Sequence, residues 1–372
     1  MAFSEKRKED SYNSNQVALI QYSAGTTGIP KRIEVTHRSL YLNSLQFVNA
    51  FDVNSDTNIV SCLHPYHDMG FLSGVIAPVF SGIQTTLMEP LIFIKKPFNW
   101  LKEISNLKGR GKVISGGPNF AFEMCCHKIK DEQLSELDLR HWKIAFNGGD
   151  SVKQETLERF TNKFTVCGFS PKAFVPVYGL TEAAPLVSDG SFGRGVTARN
   201  FIKSLFRNHI AVETPLEKDC VKLISYGKVL NNYQVMIIDP KSGHKLEDGA
   251  VGEILIADSG LALNFYDNLE FSREHFYNGI KFLKTGDLGF IKSDELFITG
   301  RLKDLIVLNG AIHYPHFIEH SVSYSHPALR KGCCAAFTII KENKEVLVVV
   351  QEVSRDAINK VSVEELLEKN SQ

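Results

Sequence analysis

Tyr22-Ser23-Ala24-Gly25-Thr26-Thr27-Gly28-Ile29-Pro30-Lys31 is the stretch on which the reading of this sequence turns. Two glycines, three hydroxyl residues and a lysine in one short loop are the ingredients for holding a phosphate. Glycine allows close backbone approach, the hydroxyls donate to oxygens, and the lysine neutralises charge. It is not a Walker A loop, because Pro30 stands where that motif needs glycine and Arg32 where it needs Ser or Thr. A solvent-exposed turn accounts for any three of these residues, but turn chemistry does not ask for three hydroxyls and a lysine together. Upstream, Val17–Tyr22 reads as a strand. Downstream, Ile33–Thr36 reads as another, with Thr36 or His37 placed to cap a helix through Leu40 and Leu42.

Outward from this loop the chain alternates. Asn58–Leu63, Gly82–Met88 and Lys143–Phe146 look like buried strands, and Pro97–Leu107 and Lys153–Phe164 carry helical periodicity. Such alternation predicts an α/β fold, a sheet covered by helices. Residues 189–222 are weakly periodic and carry Arg199, Lys203 and Arg207, which suggests an excursion from the core. Residues 223–298 are strand-rich (Gln234–Ile238, Glu253–Ala257, Leu296–Ile298) and predict a β subdomain. Gly300–Asp304 reads as a hinge, and Leu305–Leu308 with Glu345–Gln351 as a small α/β tail. The expected organisation is a polar lead over 1–16, a large domain over 17–299 and a partial small domain over 300–372.

Composition bounds the function. Lys+Arg and Asp+Glu both number 42 in 372 residues, so there is no electrostatic case for nucleic acid or anionic membrane as the main partner. With 43% hydrophobic and 23% charged residues the chain has ample material for a core. No run of about 18 apolar residues occurs, which predicts no transmembrane segment. Seven cysteines, two pairs of them adjacent, and no secretory leader point to a reducing cytoplasmic compartment.

Two further strings carry chemistry. In Tyr178-Gly179-Leu180-Thr181-Glu182-Ala183 a hydroxyl beside a carboxylate can hold Mg²⁺ against a phosphate oxygen, although Thr-Glu before alanines is also a common helix start. In Thr285-Gly286-Asp287-Leu288-Gly289, followed by Gly300-Arg301-Leu302-Lys303-Asp304, an aspartate can accept both ribose hydroxyls and an arginine can support ribose or phosphate. Read singly, these are a β-turn and a surface hairpin. His64 and His67 near Cys62 invite a metal assignment, but they lack a second ligand cluster. Cys125-Cys126-His127 reads as helix packing, and Gly116-Gly117-Pro118 as a tight turn.

Taken in this order, the strings resemble the adenylate-forming superfamily of acyl-CoA ligases, luciferases and peptide-synthetase adenylation domains. His64-Pro65-Tyr66-His67-Asp68-Met69-Gly70, Gly116–Ala121, Ala145-Phe146-Asn147-Gly148-Gly149-Asp150 and Gly300–Asp304 with His313-Tyr314-Pro315 narrow the resemblance to fatty acyl-AMP ligases. It covers nearly the whole chain from about residue 17 onward. The resemblance implies that a fatty carboxylate attacks the α-phosphate of ATP, giving acyl-AMP and pyrophosphate, with transfer to an acyl-carrier protein or polyketide synthase. By similarity, Ser23, Gly25, Thr26, Thr27, Gly28 and Lys31 would hold the β/γ-phosphates, and Thr181 and Glu182 would serve Mg²⁺ and the α-phosphate. Gly148, Gly149, Asp150 and Tyr178 would line the adenine pocket, and Asp287 and Arg301 would take the ribose. His67 would sit near the acyl carboxylate, with Phe71-Leu72 bordering the acyl channel. Segment 189–222 falls where these ligases carry the insertion that sets them apart from acyl-CoA ligases.

The sequence also departs from the pattern. Roughly 16 residues precede the first strand where the family places a substantial segment, and no Ser-Gly-Lys-like motif follows Asp304. Ala24, Arg32 and Asp150 replace the hydroxyl, glycine and Glu usual there. The expectation is a ligase shortened at both ends. Loss of one preorganised cation would weaken adenylation by roughly two to four kcal/mol unless a partner chain restores it. A non-catalytic nucleotide- or acyl-binding remnant and an ordinary acyl-CoA ligase are the alternatives.

Overall fold

Two apolar runs flanking the opening loop form an antiparallel pair, β1 (Val17–Ser23) and β2 (Lys31–Thr36), with Ser23 opposite Lys31. Thr36 ends β2 and caps the helix His37–Ala50, its Oγ1 accepting the Ser39 amide at 3.1 Å. These elements belong to a computed structural model that describes residues 13–23, 31–206, 208–258, 265–266, 273–308, 311–341, 344–358 and 360–370. The described chain divides into two units. The first comprises residues 1–198, 224–234 and 257–282, the second 199–223, 235–256 and 283–372.

The first unit is organised by a seven-stranded sheet. Its members are β3 (Thr57–Ser61), β4 (Gln84–Leu87), β5 (Lys112–Gly117), β6 (Trp142–Asn147), β7 (Phe174–Gly179), β8 (Leu186–Asp189) and the short strand Lys228–Val229. The order is Lys228–Val229, β8, β7, β6, β5, β3, β4. Strands β4, β3, β5, β6 and β7 run parallel, β8 pairs antiparallel with β7, and Lys228–Val229 pairs antiparallel with β8 at the edge. Parallel strands need helical crossovers and are therefore covered on both faces. One face packs Trp100, Phe122, Trp142, Phe160, Phe164 and Phe174, gathered by the helices Phe98–Asn106, Asn119–Lys128 and Gln154–Phe164. The other packs Phe47, Phe51, Ile59, Ile114, Ile144, Phe146 and Val175. The buried indoles keep partners, Trp100 Nε1 donating to Ser115 Oγ and Trp142 Nε1 to the Ile144 carbonyl, both at 2.8 Å.

Gly116 and Gly117, read as a tight turn, are instead the last residues of β5. A Cβ on Gly116 would lie 2.1 Å from the Phe146 carbonyl oxygen, so glycine is there to let β5 approach β6. Cys125 and Cys126 are buried packing residues, as expected.

The second unit is antiparallel. Strands Tyr233–Ile238, Gly252–Asp258, Ile280–Lys292 and Glu295–Arg301 follow one another in its sheet. Phe201, Phe206, Phe290, Phe297 and Tyr314 fill its core, with Phe290 and Phe297 stacked at 5.0 Å. The weakly periodic stretch contributes the strand Ala198–Ile202, paired with Cys220–Ile224. Its Arg199 is engaged by Glu213 at 3.2 Å and Glu295 at 2.9 Å. The helix Pro315–Ser323 packs on the hairpin of Leu329–Lys341 and Lys344–Val353.

Candidate functional site

The carboxyl ends of β3, β6 and β7 lead directly into the strings quoted from the sequence. In an open parallel sheet this edge is where ligands bind, because the loops there leave backbone groups and polar side chains unpaired by the ladder. After β7, Thr181–Ala183 forms a single 3₁₀ turn. Thr181 Oγ1 donates to Asp68 Oδ2 at 2.6 Å. The other oxygen of Asp68 accepts the Met69 amide and pairs with His67 Nδ1, each at 2.6 Å. One mostly buried carboxylate therefore joins the β7 turn to the histidine that follows β3. Burial alone would raise the Asp68 carboxyl, but the hydrogen bonds from His67, Thr181 and Met69 outweigh it and hold the group below its ordinary value. The same bond to Asp68 raises the His67 imidazole, against burial, which lowers it. His67 is thus oriented through Nδ1 and favoured in its cationic form, and its exposed ring is suited to an anion.

Glu182 is nearly buried, and its Oε1 lies 2.5 Å from Arg273 Nη1. Among the described residues no group of three or more His, Cys, Asp or Glu side chains could hold a metal. A donor set of one carboxylate and one hydroxyl matches Mg²⁺, which keeps its waters and arrives on phosphate oxygens rather than in a protein cage.

The β6 end is close-fitted. A Cβ on Gly148 would lie 2.4 Å from the Val177 carbonyl oxygen, so only glycine passes there. Asp150 Oδ1 accepts the Asn119 amide at 2.7 Å and so ties this loop to the start of the helix Asn119–Lys128. Burial pushes its carboxyl up despite those amide hydrogen bonds. Tyr178, at the end of β7, is buried. Asn147 is fully buried, and neither its amide nitrogen nor its oxygen has a hydrogen-bond partner among the described residues.

The remaining candidates fall in two places. Gly25, Thr26, Thr27 and Gly28 lie outside the described residues, and Ser23 and Lys31 are described only as backbone at the ends of β1 and β2. Asp287 and Arg301 belong to the second unit, where they sit opposite each other on paired strands with Arg301 Nε 3.3 Å from Asp287 Oδ1. Leu72 packs into the core beside Phe47 and Ile59, and Phe71 is half-buried.

Sequence reasoning gave no role to Asp68, although it stands beside His67 in a quoted string. Arg273 has no local signal, since its partner is 91 positions away. Asn43, which reaches the β7 turn from the helix His37–Ala50, sits in an ordinary polar stretch.

The chain is 36% identical over 98% of its length to the medium-chain-fatty-acid–[acyl-carrier-protein] ligase JamA of Moorena producens, of which it covers 63%. It is 31% identical over 89% of its length to the long-chain-fatty-acid–AMP ligase FadD32 of Mycolicibacterium smegmatis, covering 55% of that protein. Among solved structures, the fatty acyl-adenylate ligase of L. pneumophila in complex with acyl adenylate and pyrophosphate superposes with a TM-score of 0.75 at 37% identity, covering 96% of this chain and 63% of that one. The chain spans about three-fifths of the length of the curated relatives it matches. The model of the AMP-binding enzyme family matches residues 2–266, which include the opening loop, the parallel sheet and the turn after β7. On that match, which takes in well over half of its residues, the chain belongs to the AMP-binding enzyme family and has the fold of the adenylate-forming enzymes.

Proposed function

We propose that this chain carries the site at which a fatty acid is activated by ATP to acyl-AMP and pyrophosphate, for transfer to an acyl-carrier protein or polyketide synthase in the cytoplasm. The observation that carries the reading is the single carboxylate of Asp68, which binds Thr181 on one side and His67 on the other. Thr181, beside Glu182, suits the phosphate end of the reaction, and His67 the acyl carboxylate. In the reaction a carboxylate oxygen forms a bond to the α-phosphorus as the bond to the pyrophosphate oxygen breaks. The substrate is its own nucleophile, so the protein supplies position and charge. Mg²⁺, when bound, would neutralise charge on the phosphates beside Glu182. Ser23, Thr26, Thr27 and Lys31 are proposed for the β/γ-phosphates, Gly148, Gly149, Asp150 and Tyr178 for adenine, and Asp287 and Arg301 for ribose. The names of JamA and TtuA as fatty-acid–[acyl-carrier-protein] ligases support the carrier, and seven cysteines with no disulfide among them support a reducing compartment. No helix of the described residues is long and apolar enough to cross a membrane.

The test is acyl-adenylate formation by the purified chain with ATP, Mg²⁺ and fatty acids of graded length, with and without coenzyme A, beside Glu182→Ala. Acyl-AMP that accumulates regardless of coenzyme A and disappears in the variant is the expected result. Product that requires coenzyme A would make the chain an acyl-CoA ligase. No acyl-AMP from a folded chain that binds ATP would leave a binding remnant.

A further inference from the structure

The turn that carries Thr181 and Glu182 has little secondary structure of its own. It is one 3₁₀ turn, it is followed by Ala184 at φ +60°, and it reaches β8 within a few residues. Backbone groups at such a junction are outside the sheet ladder and must find other partners. The Leu180 and Ala184 amides find backbone carbonyls, Pro185 at 2.9 Å and Thr181 at 3.1 Å, while the Ala183 carbonyl and the backbone of Leu186, the first residue of β8, meet one side chain of the helix His37–Ala50. Asn43, 1% exposed, directs Nδ2 to the carbonyls of Ala183 at 2.9 Å and Leu186 at 3.1 Å, and its Oδ1 accepts the Leu186 amide at 3.3 Å. These carbonyl contacts are the two shortest that Nδ2 makes, Gln46 Oε1 lying farther at 3.4 Å, and an amide has two hydrogens to give. Tyr233 adds a second arm, its hydroxyl donating to the same Ala183 carbonyl at 2.6 Å and lying 3.2 Å from Asn43 Nδ2.

We infer that Asn43 and Tyr233 are positioning residues that clamp the backbone of Ala183 and Leu186 and so fix where Thr181 and Glu182 point. The helix bearing Asn43 begins at His37, directly after the strand that opens at Lys31, so the clamp ties the element following the opening loop to the turn after β7. A leucine, with the same branched skeleton of four heavy atoms, would supply apolar contact but no hydrogen bond. Only an amide can meet two carbonyls and an N–H of one turn together. The inference rests on the reading of that turn as the phosphate end of an adenylation site.

The experiment compares wild type with Asn43→Leu and Tyr233→Phe, the second removing one oxygen and guarding against a first variant that fails to fold. Two readouts are taken on variants whose melting temperature confirms a folded chain. The first is amide hydrogen exchange over residues 180–187. The second is acyl-AMP formation with ATP and a fatty acid across a Mg²⁺ titration. The clamp predicts exchange faster in both variants. It also predicts kcat lower by about 10- to 100-fold in Asn43→Leu, as expected for a displaced reacting group. The Mg²⁺ half-saturation should rise, and the fatty-acid KM should stay within about twofold of wild type. Unchanged exchange overturns the clamp. Faster exchange with kcat and Mg²⁺ dependence intact makes Asn43 a purely structural residue and overturns the positioning role. A wild-type chain that makes no acyl-AMP defeats the reading of the site itself, and with it the positioning role. That result is separable from a failed clamp because the exchange would still respond.

Discussion

Asp68 shows how much depends on one carboxylate. It is the common partner of His67 and Thr181, so an amide in its place keeps the shape but cannot accept hydrogen bonds on both sides. Asp68→Asn should lower kcat/KM for the fatty acid by about 100-fold, the scale of losing one preorganised electrostatic contact. The melting temperature should change by only a few degrees, since Oδ1 still accepts the Met69 amide. Pyrophosphate release at varied fatty acid and fixed ATP measures it, and a loss confined to the KM for ATP would remove Asp68 from the carboxylate side. Legibility at this scale follows from locality. Thr181 and Glu182 stand out as candidates because a hydroxyl and a carboxylate stand side by side after an apolar strand. Asn43 could not, because its partners are 140 and 143 positions away and nothing in Tyr41–Gln46 marks it.

At the scale of elements, the helices Asn119–Lys128 and Gln154–Phe164 are joined through Glu123. It accepts from Thr156 Oγ1 at 2.8 Å, pairs with His127 at 2.8 Å, and meets Arg159. Burial raises the carboxyl, but the hydrogen bonds from His127 and Thr156 and the charge of Arg159 outweigh it and hold the group at about 2. A depressed carboxylate stabilises the fold above its ordinary value of 4.5, and that contribution is lost as pH falls from 4.5 toward 2. Glu123→Gln should therefore lower stability by up to about 3 kcal/mol at pH 7 and by little near pH 2. Denaturant titrations at both pH values measure the difference, and equal losses at the two would show that Glu123 acts by packing alone. Most helices and strands read from periodicity lie within a residue or two of their places, as in Phe98–Asn106 for 97–107 and Trp142–Asn147 for 143–146, while the strand read over 296–298 runs on to Arg301. The central strand Lys112–Gly117 escaped, since glycine signals a turn locally. What demands glycine there is the Phe146 carbonyl of the neighbouring strand, a contact no local pattern encodes.

At the scale of the molecule, the alternation of strands and helices was enough to expect a helix-covered sheet. It could not give the order in which β3 to β8 lie, because that order is set by crossovers and packing far apart in sequence. Cysteine burial tests whether this chain, three-fifths the length of its curated relatives, holds the described fold in solution. None of the seven cysteines forms a disulfide, and Cys62, Cys125, Cys126 and Cys167 are buried. Desolvation pushes Cys62 and Cys126 up to about 12 and raises Cys125 and Cys167 as well. The thiolate is the reactive form, so these four are doubly protected, by lack of access and by lack of charge. Cys220, Cys333 and Cys334, all in the second unit, are partly exposed. A disulfide-exchange reagent at pH 8 should therefore consume at most three thiols rapidly in the native chain and all seven in denaturant. Mass mapping of the labelled peptides assigns each site. Rapid labelling of Cys125 without denaturant would mean that the core between the parallel sheet and the helices Asn119–Lys128 and Gln154–Phe164 is not closed. The loops at the carboxyl edge of that sheet would then lack the rigid support that the proposed adenylation site requires.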